Sequence, residues 1–510
     1  MYRTAPTSVY AALPLLLLSG AASADLTPVQ VWNDWRGYMQ DMGYRIEATE
    51  SRTGADLTIS GLRFDMVMPE EDGDLSVSLG DIALLQRDDG AVEVVMPDLL
   101  PLEIDVTPKS PDEERVQMTL NLAQTGQSFI ASGSPEDITY DYAADAAAMA
   151  LARLQVGAQN FGPEQASFKL QADKISSRTA VEIDGMRGYE QSGSIARLTY
   201  DLAITSPEDD TRVKMTGHVG DLDLSGRGMI PIDLANTQDM AVMLNAGFDI
   251  AGKISAASGG SVIEVSDPTN GVSTLNSTSG GGALSIGMAQ DGLAYEGEQK
   301  DIAVSLALPD LPFPVEFSLA ELGFELQVPL SKSEKPQDFA FGLDLDEFVM
   351  SDMIWGLFDP TGKLPRDPAA LALDISGKAK LLSDLLDPRL AAAGPDAAPG
   401  EIEALRLNAL TLDAAGAELT GKGDVTFDNS DTTTIPGMPK PVGAVDLRLV
   451  GGTALIDRLV AIGLLPSEQA MGARMMLGLF AVPGEGEDTV TSRIEFTEEG
   501  QILANGQRIK

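Results

Sequence analysis

The fold class is set by one alternating stretch, Phe339-Ala340-Phe341-Gly342-Leu343-Asp344-Leu345. Large apolar residues occupy every second position, and small or acidic residues lie between them. Because successive side chains of a β-strand point to opposite faces of a sheet, the stretch predicts a strand with one apolar and one wet face. Buried parallel strands would instead read as continuous apolar runs. The stretch therefore indicates an antiparallel sheet with one solvated side.

The same period-two pattern recurs along the whole chain of 510 residues. It appears at residues 56–60, 74–79, 115–122, 198–202, 301–306 and 493–496. Turn signals separate these stretches, and Asn505-Gly506 is the strongest because both residues tolerate a positive φ. We predict a mainly β protein with a long curved, mostly antiparallel sheet, either a β-groove or sandwich-like, and few helices.

A short motif of an apolar residue, then Ser or Thr, then Gly predicts β-bulges. It ends at Gly61, Gly217, Gly226, Gly377 and Gly421. At Gly61 the alternation changes phase, as it does at a bulge. A series of such bulges would curve a long sheet.

Helices are expected at three places. Thr27-Pro28 opens an N-terminal helix, with Thr as N-cap and Pro at the first position, and Gly43 ends it. A helical pair is predicted at residues 453–480, divided at Pro466. The Ala-rich residues 143–154 are a further helical candidate.

The first 24 residues predict export. Arg3 supplies a positive start, residues 9–18 are an apolar core, and Ala22-Ser23-Ala24 is a typical cleavage site for a signal peptide. This apolar run is shorter than the roughly 20 residues that span a bilayer. No later run is apolar for long enough, so we expect no transmembrane segment in the mature chain. The predicted location is the periplasm, after cleavage following Ala24.

The domain organisation has two readings. Residues 25–254 and 288–510 form β-rich halves, and the Gly/Ser-rich residues 255–287 are predicted to be hairpin loops or a linker between them. A single elongated sheet through the mature chain fits equally well. Residues 391–400, rich in Ala, Pro and Gly, predict a flexible connector.

Composition excludes several classes of function. The chain has 77 acidic against 35 basic residues, a formal net charge of −42, so it repels nucleic acid and anionic surfaces. It contains no Cys and a single His, His218, which excludes Cys-ligated zinc and a multi-His metal centre. We predict no catalytic residue, no cofactor and no metal. Carboxylates are abundant, so a two-carboxylate hydrolase stays open.

Candidate binding residues are aromatic and aliphatic. The N-terminal helix carries Trp32 and Trp35, which either pack onto the sheet or form a docking surface. A second aromatic group, Trp355 and Phe358, either plugs one end of a groove or forms a docking patch. The side chains expected to line the apolar concave face are Leu57, Ile59, Ile302, Val304, Phe339 and Phe341.

Several stretches together resemble an alphaproteobacterial family called domain of unknown function 2125. They are Trp32-Asn33-Asp34-Trp35 and residues 317–324, 355–368, 417–423 and 499–508. The resemblance implies an exported envelope protein and supplies no known activity. At the level of fold, the bulged strands are also similar to the long curved sheets of AsmA-like envelope proteins, which are associated with lipid handling. We expect this chain to lack the membrane anchor that is usual in those proteins.

The leading functional hypothesis is a non-enzymatic periplasmic protein that binds an apolar, lipid-like ligand or an envelope protein through its curved sheet. Its basis is the large supply of one-faced strands, with few helices to cover them. The alternatives are a carboxylate-based hydrolase of envelope polymers and a structural or assembly factor.

Overall fold

The computed structural model describes residues 25–67, 73–110, 112–232, 239–387, 389–390 and 399–510. Strands make up 62% of the described residues and helices 12%, which confirms the mainly β prediction. The predicted signal peptide, residues 1–24, and most of the predicted connector at 391–400 lie outside the described residues.

The described residues form 27 strands in one sheet. In the N-terminal part they are β1 Arg45–Thr53, β2 Asp56–Val67, β3 Asp74–Leu79, β4 Ile82–Gln86, β5 Val92–Val95, β6 Leu99–Thr107, β7 Val116–Thr125, β8 Ser128–Ser134, β9 Asp137–Val156, β10 Gln159–Phe161, β11 Ala166–Asp184, β12 Met186–Thr205 and β13 Arg212–Pro231. The others are β14 Asp249–Asp267, β15 Gly271–Ser279, β16 Gly282–Ala289, β17 Gly292–Ala307, β18 Val315–Val328, β19 Gln337–Met350, β20 Ala369–Leu381, β21 Gly400–Ala414, β22 Ala417–Asp428, β23 Lys440–Val450, β24 Val482–Pro483, β25 Thr489–Phe496, β26 Ile502–Ala504 and β27 Gln507–Arg508.

Most strands pair with the strands next to them along the chain, and every pairing between them is antiparallel. From β9 onward the order is β9, β11, β12, β13, β14, then β15 and β16 end to end, then β17 to β23 and β25. The predicted loops or linker at residues 255–287 therefore form most of β14, all of β15 and most of β16. The division into two β-rich halves stays a prediction.

Five helices lie among the described residues: α1 Pro28–Asp41, α2 Met240–Asn245, α3 Asp352–Phe358, α4 Gly452–Ala461 and α5 Ser467–Phe480. Thr27 caps α1. Its side chain accepts a hydrogen bond from the backbone N–H of Gln30, and the side chain of Gln30 accepts one from the backbone N–H of Thr27. The N-terminal helix and the C-terminal pair are thus confirmed.

The Ala-rich helix prediction at residues 143–154 is wrong, because these residues lie in strand β9. They pair with β7 on one side and β11 on the other. Two complete ladders of hydrogen bonds outweigh the modest helix propensity of Ala, which is a weak preference that tertiary context overrides.

A line of irregular backbone crosses the sheet at right angles to the strands, and we call it the crease. It passes through four residues with positive φ, Lys174, Asp221, Asp301 and Glu347, on strands β11, β13, β17 and β19. Gly281, also at positive φ, separates β15 from β16. The regular pairing skips the crease residue and the residue opposite it, Ala196, Ala257 or Ala320. Such irregularities bend a strand, and their alignment bends the sheet along one line.

Candidate functional site: an uncovered apolar sheet face

One face of the sheet carries unbroken rows of apolar side chains, and we call it the apolar face. Directly paired residues of antiparallel strands point to the same side, so the register identifies each row. The first row runs through eight neighbouring strands as Leu224, Ile254, Leu284, Gly297, Phe324, Leu343, Leu373 and Leu410. The row beside it contains Leu322, Leu345, Leu371, Leu412, Leu419 and Leu449.

The opposite face is polar at the same positions. Its corresponding row is Ser192, Ser225, Lys253, Ser285, Glu296, Glu325, Gly342 and Asp374. The hydrophobic character is therefore confined to one side of the sheet.

The middle of the apolar face is open. Leu224, Ile254, Leu284 and Phe324 are each about two-fifths exposed, between 39% and 42%. Scattered exposed apolar side chains are ordinary on proteins, whereas a contiguous apolar patch marks a binding surface. These neighbours form such a patch.

The apolar face continues across the crease. Val219 and Leu222 differ in strand parity and lie on either side of Asp221, yet both line one depression of about 440 Å³. Leu284, Leu322 and Phe324 line it too. The positive φ of Asp221 thus changes the phase of the strand and keeps apolar side chains on one side. Beyond the crease a further row contains Leu202, Met215, Ile263, Leu275, Leu306 and Val315.

Glycines let aromatic rings lie flat on this face. A Cβ on Gly297 would come within 2.2 Å of the ring of Phe324, and one on Gly377 within 2.4 Å of the ring of Phe339. Each ring therefore covers the backbone of the neighbouring strand. The face keeps a smooth hydrocarbon surface even where a side chain is missing.

Helix α1 covers the N-terminal end of the apolar face. Trp32 is buried, and its indole N–H donates to Glu50 at 2.8 Å. Trp35 is half-buried and stacks on Phe129, with ring centroids 5.9 Å apart. Both predicted Trp residues therefore pack onto their own sheet.

Leu57 and Ile59 are also in this covered end. Each is 1% exposed, within the core cluster that includes Val31 and Trp32. The expectation that they line an open groove is wrong, because α1 lies over them. Alternation identifies the apolar side of a strand, and only the fold decides whether a helix covers it.

A buried ion pair fixes α1 to the sheet. The two terminal nitrogens of Arg187, Nη1 and Nη2, donate to the Asp34 carboxylate at 2.6 and 3.1 Å. The hydroxyl of Tyr140 donates to the same carboxylate at 2.7 Å. The Asp34 side chain is 4% exposed and that of Arg187 14%. Burial, and then the nearby Asp34 charge, raise the pKa of Tyr140 far above its ordinary value.

Helices α4 and α5 form a hairpin over the C-terminal end of the apolar face. The first row extends from Leu410 through Gly421 and Leu447 to Ser492, whose hydroxyl donates to the carbonyl of Phe480 at the end of α5. Gly452, the first residue of α4, lies against the side chain of Leu449. The open part of the face therefore lies between α1 and this hairpin.

The four other predicted lining residues lie on β17 and β19, between the two covered ends of the face. Phe341 is 40% exposed and pairs with Leu326 and Ile375, in the row next to the first. Phe339 lies over Gly377. Ile302 and Val304 follow Asp301 and pair with Leu319 and Phe317.

Ile302 is almost fully buried at the crease, whereas Val304 is half-buried. Because Asp301 changes the strand phase as Asp221 does, we infer that both point to the apolar face. Their role in binding, and that of Phe339 and Phe341, stays a prediction.

Trp355 and Phe358 lie on α3, at the end of β19. Their rings are 5.0 Å apart, and the guanidinium of Arg366 lies 5.8 Å from the Trp355 ring. The large apolar side chains that α3 exposes are Met353 and Leu357 instead. Asp359 is fully buried after α3 and accepts from the backbone N–H groups of Lys363 and Leu364, which holds the following turn.

Sequence reasoning missed the first row itself. Leu222 and Leu224 alternate with Asp221 and Asp223, and Leu284 lies in the Gly/Ser-rich residues 255–287, which are predicted to be hairpin loops or a linker. The alternation in each strand was visible. The register that aligns eight strands into one row was not, because pairing is a property of the fold.

Chemistry-bearing groups are sparse among the described residues. Within them, no three His, Cys, Asp or Glu side chains converge as a metal site would require. His218 is exposed on β13. None of the helices in the described part of the chain combines the length and the hydrophobicity needed to cross a membrane.

Comparison with known proteins gives one match. The model of a family described as "Uncharacterized protein conserved in bacteria (DUF2125)" matches residues 250–506, just over half of the chain. The matched range begins in β14 and ends after β26, so it includes most of the first row and the whole α4–α5 hairpin. No curated protein and no solved structure matches. The likeness to AsmA-like proteins stays a prediction.

Proposed function

Because the chain belongs to the DUF2125 family, whose description assigns no activity, its function must be inferred from the apolar face, and we propose that this face binds the hydrocarbon chains of a lipid-like ligand. In this proposal the protein is non-enzymatic, exported and periplasmic. The observation that carries it is the first row, an apolar strip across eight strands whose middle is covered by no helix of the described residues.

The dimensions of the row suit hydrocarbon chains. Strands lie about 4.8 Å apart, so seven spacings give a strip of about 34 Å. The hydrocarbon core of a bilayer is about 30 Å thick, so a chain from one leaflet spans about 15 Å. The strip can hold two such chains end to end, and the neighbouring rows provide width for chains side by side.

The chemistry of the face favours hydrocarbon over an extended peptide. Backbone groups in the middle of the sheet are already paired with neighbouring strands. A peptide lying on leucine and phenylalanine side chains would leave its own N–H and C=O groups without partners, which is unfavourable. A hydrocarbon chain has no such groups.

The test measures binding of an uncharged probe, a fluorescent fatty alcohol of about 16 carbons, which avoids repulsion by the acidic protein. The double variant Leu284→Ser/Phe324→Ser should bind at least tenfold more weakly, because it places hydroxyls in the middle of the row. Both side chains are about two-fifths exposed, so the fold should survive. The control, Glu325→Ser, changes the opposite face beside Phe324 and should bind like the wild type.

Native mass spectrometry of protein purified from its own bacterium provides a second measurement. We expect a co-purifying lipid at near-stoichiometric mass, and its loss in the double variant. Equal probe binding by the double variant and the wild type would contradict the proposal.

A further inference from the structure

The α4–α5 hairpin carries the most exposed group of large apolar side chains near the apolar face. Met471, Met475 and Leu479 follow one another at intervals of four residues on α5 and are 64%, 69% and 54% exposed. Residues four apart in a helix share one side, so the three form a stripe. Met476 on the same helix is 54% exposed, and Leu464 in the connection between the helices is 51% exposed.

This hairpin is electrically neutral in a strongly acidic molecule. Residues 452–481 contain two acidic residues, Asp457 and Glu468, and two basic residues, Arg458 and Arg474. The whole chain carries a net charge of −42. The hairpin itself therefore adds no net charge that would repel a second copy or an anionic surface where these apolar side chains are exposed.

The hairpin is fastened at both ends. The Asp488 carboxylate accepts from the backbone N–H groups of Thr453 and Ala454 in the first turn of α4. Burial raises the pKa of Asp488, but these hydrogen bonds outweigh it, so the pKa lies below its ordinary value and the group is charged at neutral pH. The side chain of Asn505 donates to the carbonyl of Phe480 at the end of α5.

Further contacts hold the middle of the hairpin. Arg474 pairs with Asp457 between the two helices. The ammonium of Lys363 donates to the carbonyl of Ala461 at 3.0 Å. The exposed stripe is thus presented by a fixed element, and its side chains stay in water although α4 and α5 are held against the sheet.

We propose that the α5 stripe docks on the surface of a lipid bilayer, inserting its methionine and leucine side chains among uncharged lipids. Three observations favour a bilayer over a second copy of the chain or another protein. The side chains of the stripe are those of methionine and leucine, which are flexible, and none is aromatic. The residues that dominate binding at protein interfaces are instead enriched in Tyr, Trp and Arg. The hairpin carries no net charge, whereas the chain as a whole is strongly acidic and repels its own copies. The end of α5 is hydrogen-bonded to Ser492, the last residue of the first row, so the apolar row leads to the hairpin that would contact the membrane.

This proposal goes beyond ligand binding at the apolar face and does not depend on it. A hairpin can dock on a membrane whether or not the first row holds a lipid. The two proposals are therefore tested with separate variants.

The test is flotation of protein, purified from its own bacterium, with phosphatidylcholine vesicles. The wild type should float with the vesicles. The triple variant Met471→Ser/Met475→Ser/Leu479→Ser should show a membrane partition coefficient at least tenfold lower, because the inserted hydrocarbon is removed. Unchanged circular dichroism and thermal unfolding would show that the exposed substitutions leave the fold intact.

A matched control removes three other exposed apolar side chains. Leu99, Val272 and Ile402 are 55%, 50% and 47% exposed and lie outside the hairpin. The variant Leu99→Ser/Val272→Ser/Ile402→Ser should float like the wild type. The face variant Leu284→Ser/Phe324→Ser should also float normally, even if it loses its bound lipid, which separates the two proposals.

Lipid charge provides a further prediction of the same model. Vesicles with one-third phosphatidylglycerol should bind the wild type more weakly at low salt, and added NaCl should restore binding as the repulsion is screened. Three results would overturn the proposal: no flotation of the wild type, equal flotation of the triple variant, or equal losses in the hairpin variant and the matched control. A concentration-dependent dimer that the triple variant abolishes would also overturn it and assign the stripe to a second copy.

Discussion

Asp34 shows how a single carboxylate positions an element. It lies in the middle of α1 and is satisfied by Arg187, 153 residues further along the chain, and by Tyr140. The guanidinium of Arg187 also lies 4.6 Å from the ring of Tyr38 on the same helix. Removing the Asp34 carboxylate would leave the charged guanidinium of Arg187 buried between the helix and the sheet.

We therefore expect Asp34→Ala to lower the free energy of unfolding of the N-terminal region by about 3–5 kcal/mol, the usual effect of removing one partner of a buried pair. Two of the three tryptophans, Trp32 and Trp35, are on α1, so urea unfolding followed by tryptophan fluorescence reports on this region. Asp25→Ala, at an exposed carboxylate before the helix, should change stability by less than about 0.5 kcal/mol. Similar losses in both variants would show that the buried pair contributes little.

At the scale of the element, the crease explains how strands of up to 20 residues keep one apolar side. A strand whose apolar and polar residues alternate without interruption would have to be flat or evenly twisted. Here β11, β13, β17 and β19 each contain one interior residue with positive φ, such as Lys174 in β11, and we infer that these strands change phase there. The left-handed conformation is unfavourable for a residue with a Cβ by about 1–2 kcal/mol. The neighbouring ladders on both sides hold it in place.

Replacing Lys174 with a β-branched residue tests this account. Lys174 is exposed, so Lys174→Val removes no packing and acts on the backbone conformation. We expect a loss of about 1–2 kcal/mol in stability, because a β-branched residue is strained at positive φ. Gln171→Val, at an exposed position in the same strand, should be neutral or slightly stabilising because Val favours strands. Thermal unfolding of both variants measures the difference, and equal effects would contradict a strained position.

The crease also shows where sequence reasoning succeeds and where it stops. Alternation predicted the antiparallel sheet, and the Ser-Gly motif correctly predicted a bulge at Gly61, where the register between β1 and β2 shifts and φ is positive. The same motif at Gly217 and Gly377 has a different role. The missing Cβ leaves room for the rings of Tyr200 and Phe339, which lie on the neighbouring strand. A glycine can serve a bend or a close approach, and only the partner strand decides which.

The candidate site was predictable in part for the same reason. Phe339 and Phe341 alternate visibly, so their common side was apparent from the sequence. That Phe341 aligns with Leu326, Ile375 and Leu407 on three other strands depends on the register, which cannot be read from the sequence of one strand. Likewise, Leu57 and Ile59 alternate as clearly as Phe339 and Phe341, but a helix that begins 29 residues before Leu57 covers them.

At the scale of the whole molecule, charge opposes compactness. The 77 acidic residues outnumber the 35 basic residues more than twofold, and the ion pairs between described residues are mostly exposed. Exposed pairs contribute little, whereas repulsion among the excess carboxylates acts over the whole sheet at low salt.

We expect the thermal midpoint to rise when NaCl is increased from about 10 to 150 mM, because the screening length falls from about 30 to 8 Å. Sucrose at equal osmolality serves as a control, since it does not screen charge, and it should produce a smaller rise. Differential scanning fluorimetry measures both. A midpoint that falls with salt would mean that attractive pairs dominate the electrostatics of this fold.

Because neighbouring strands in the sheet are also neighbours along the chain, the number of strands sets the length of the first row. In the central part of the sheet each strand pairs only with the strand before it and the strand after it, so adding or removing one hairpin changes the length of the first row by about 10 Å and leaves the remaining strand pairings unchanged. The two ends, α1 and the α4–α5 hairpin, would stay as they are. A protein built in this way can vary its reach by steps of two strands, and its span becomes a quantity that evolution or an engineer can set independently of its ends.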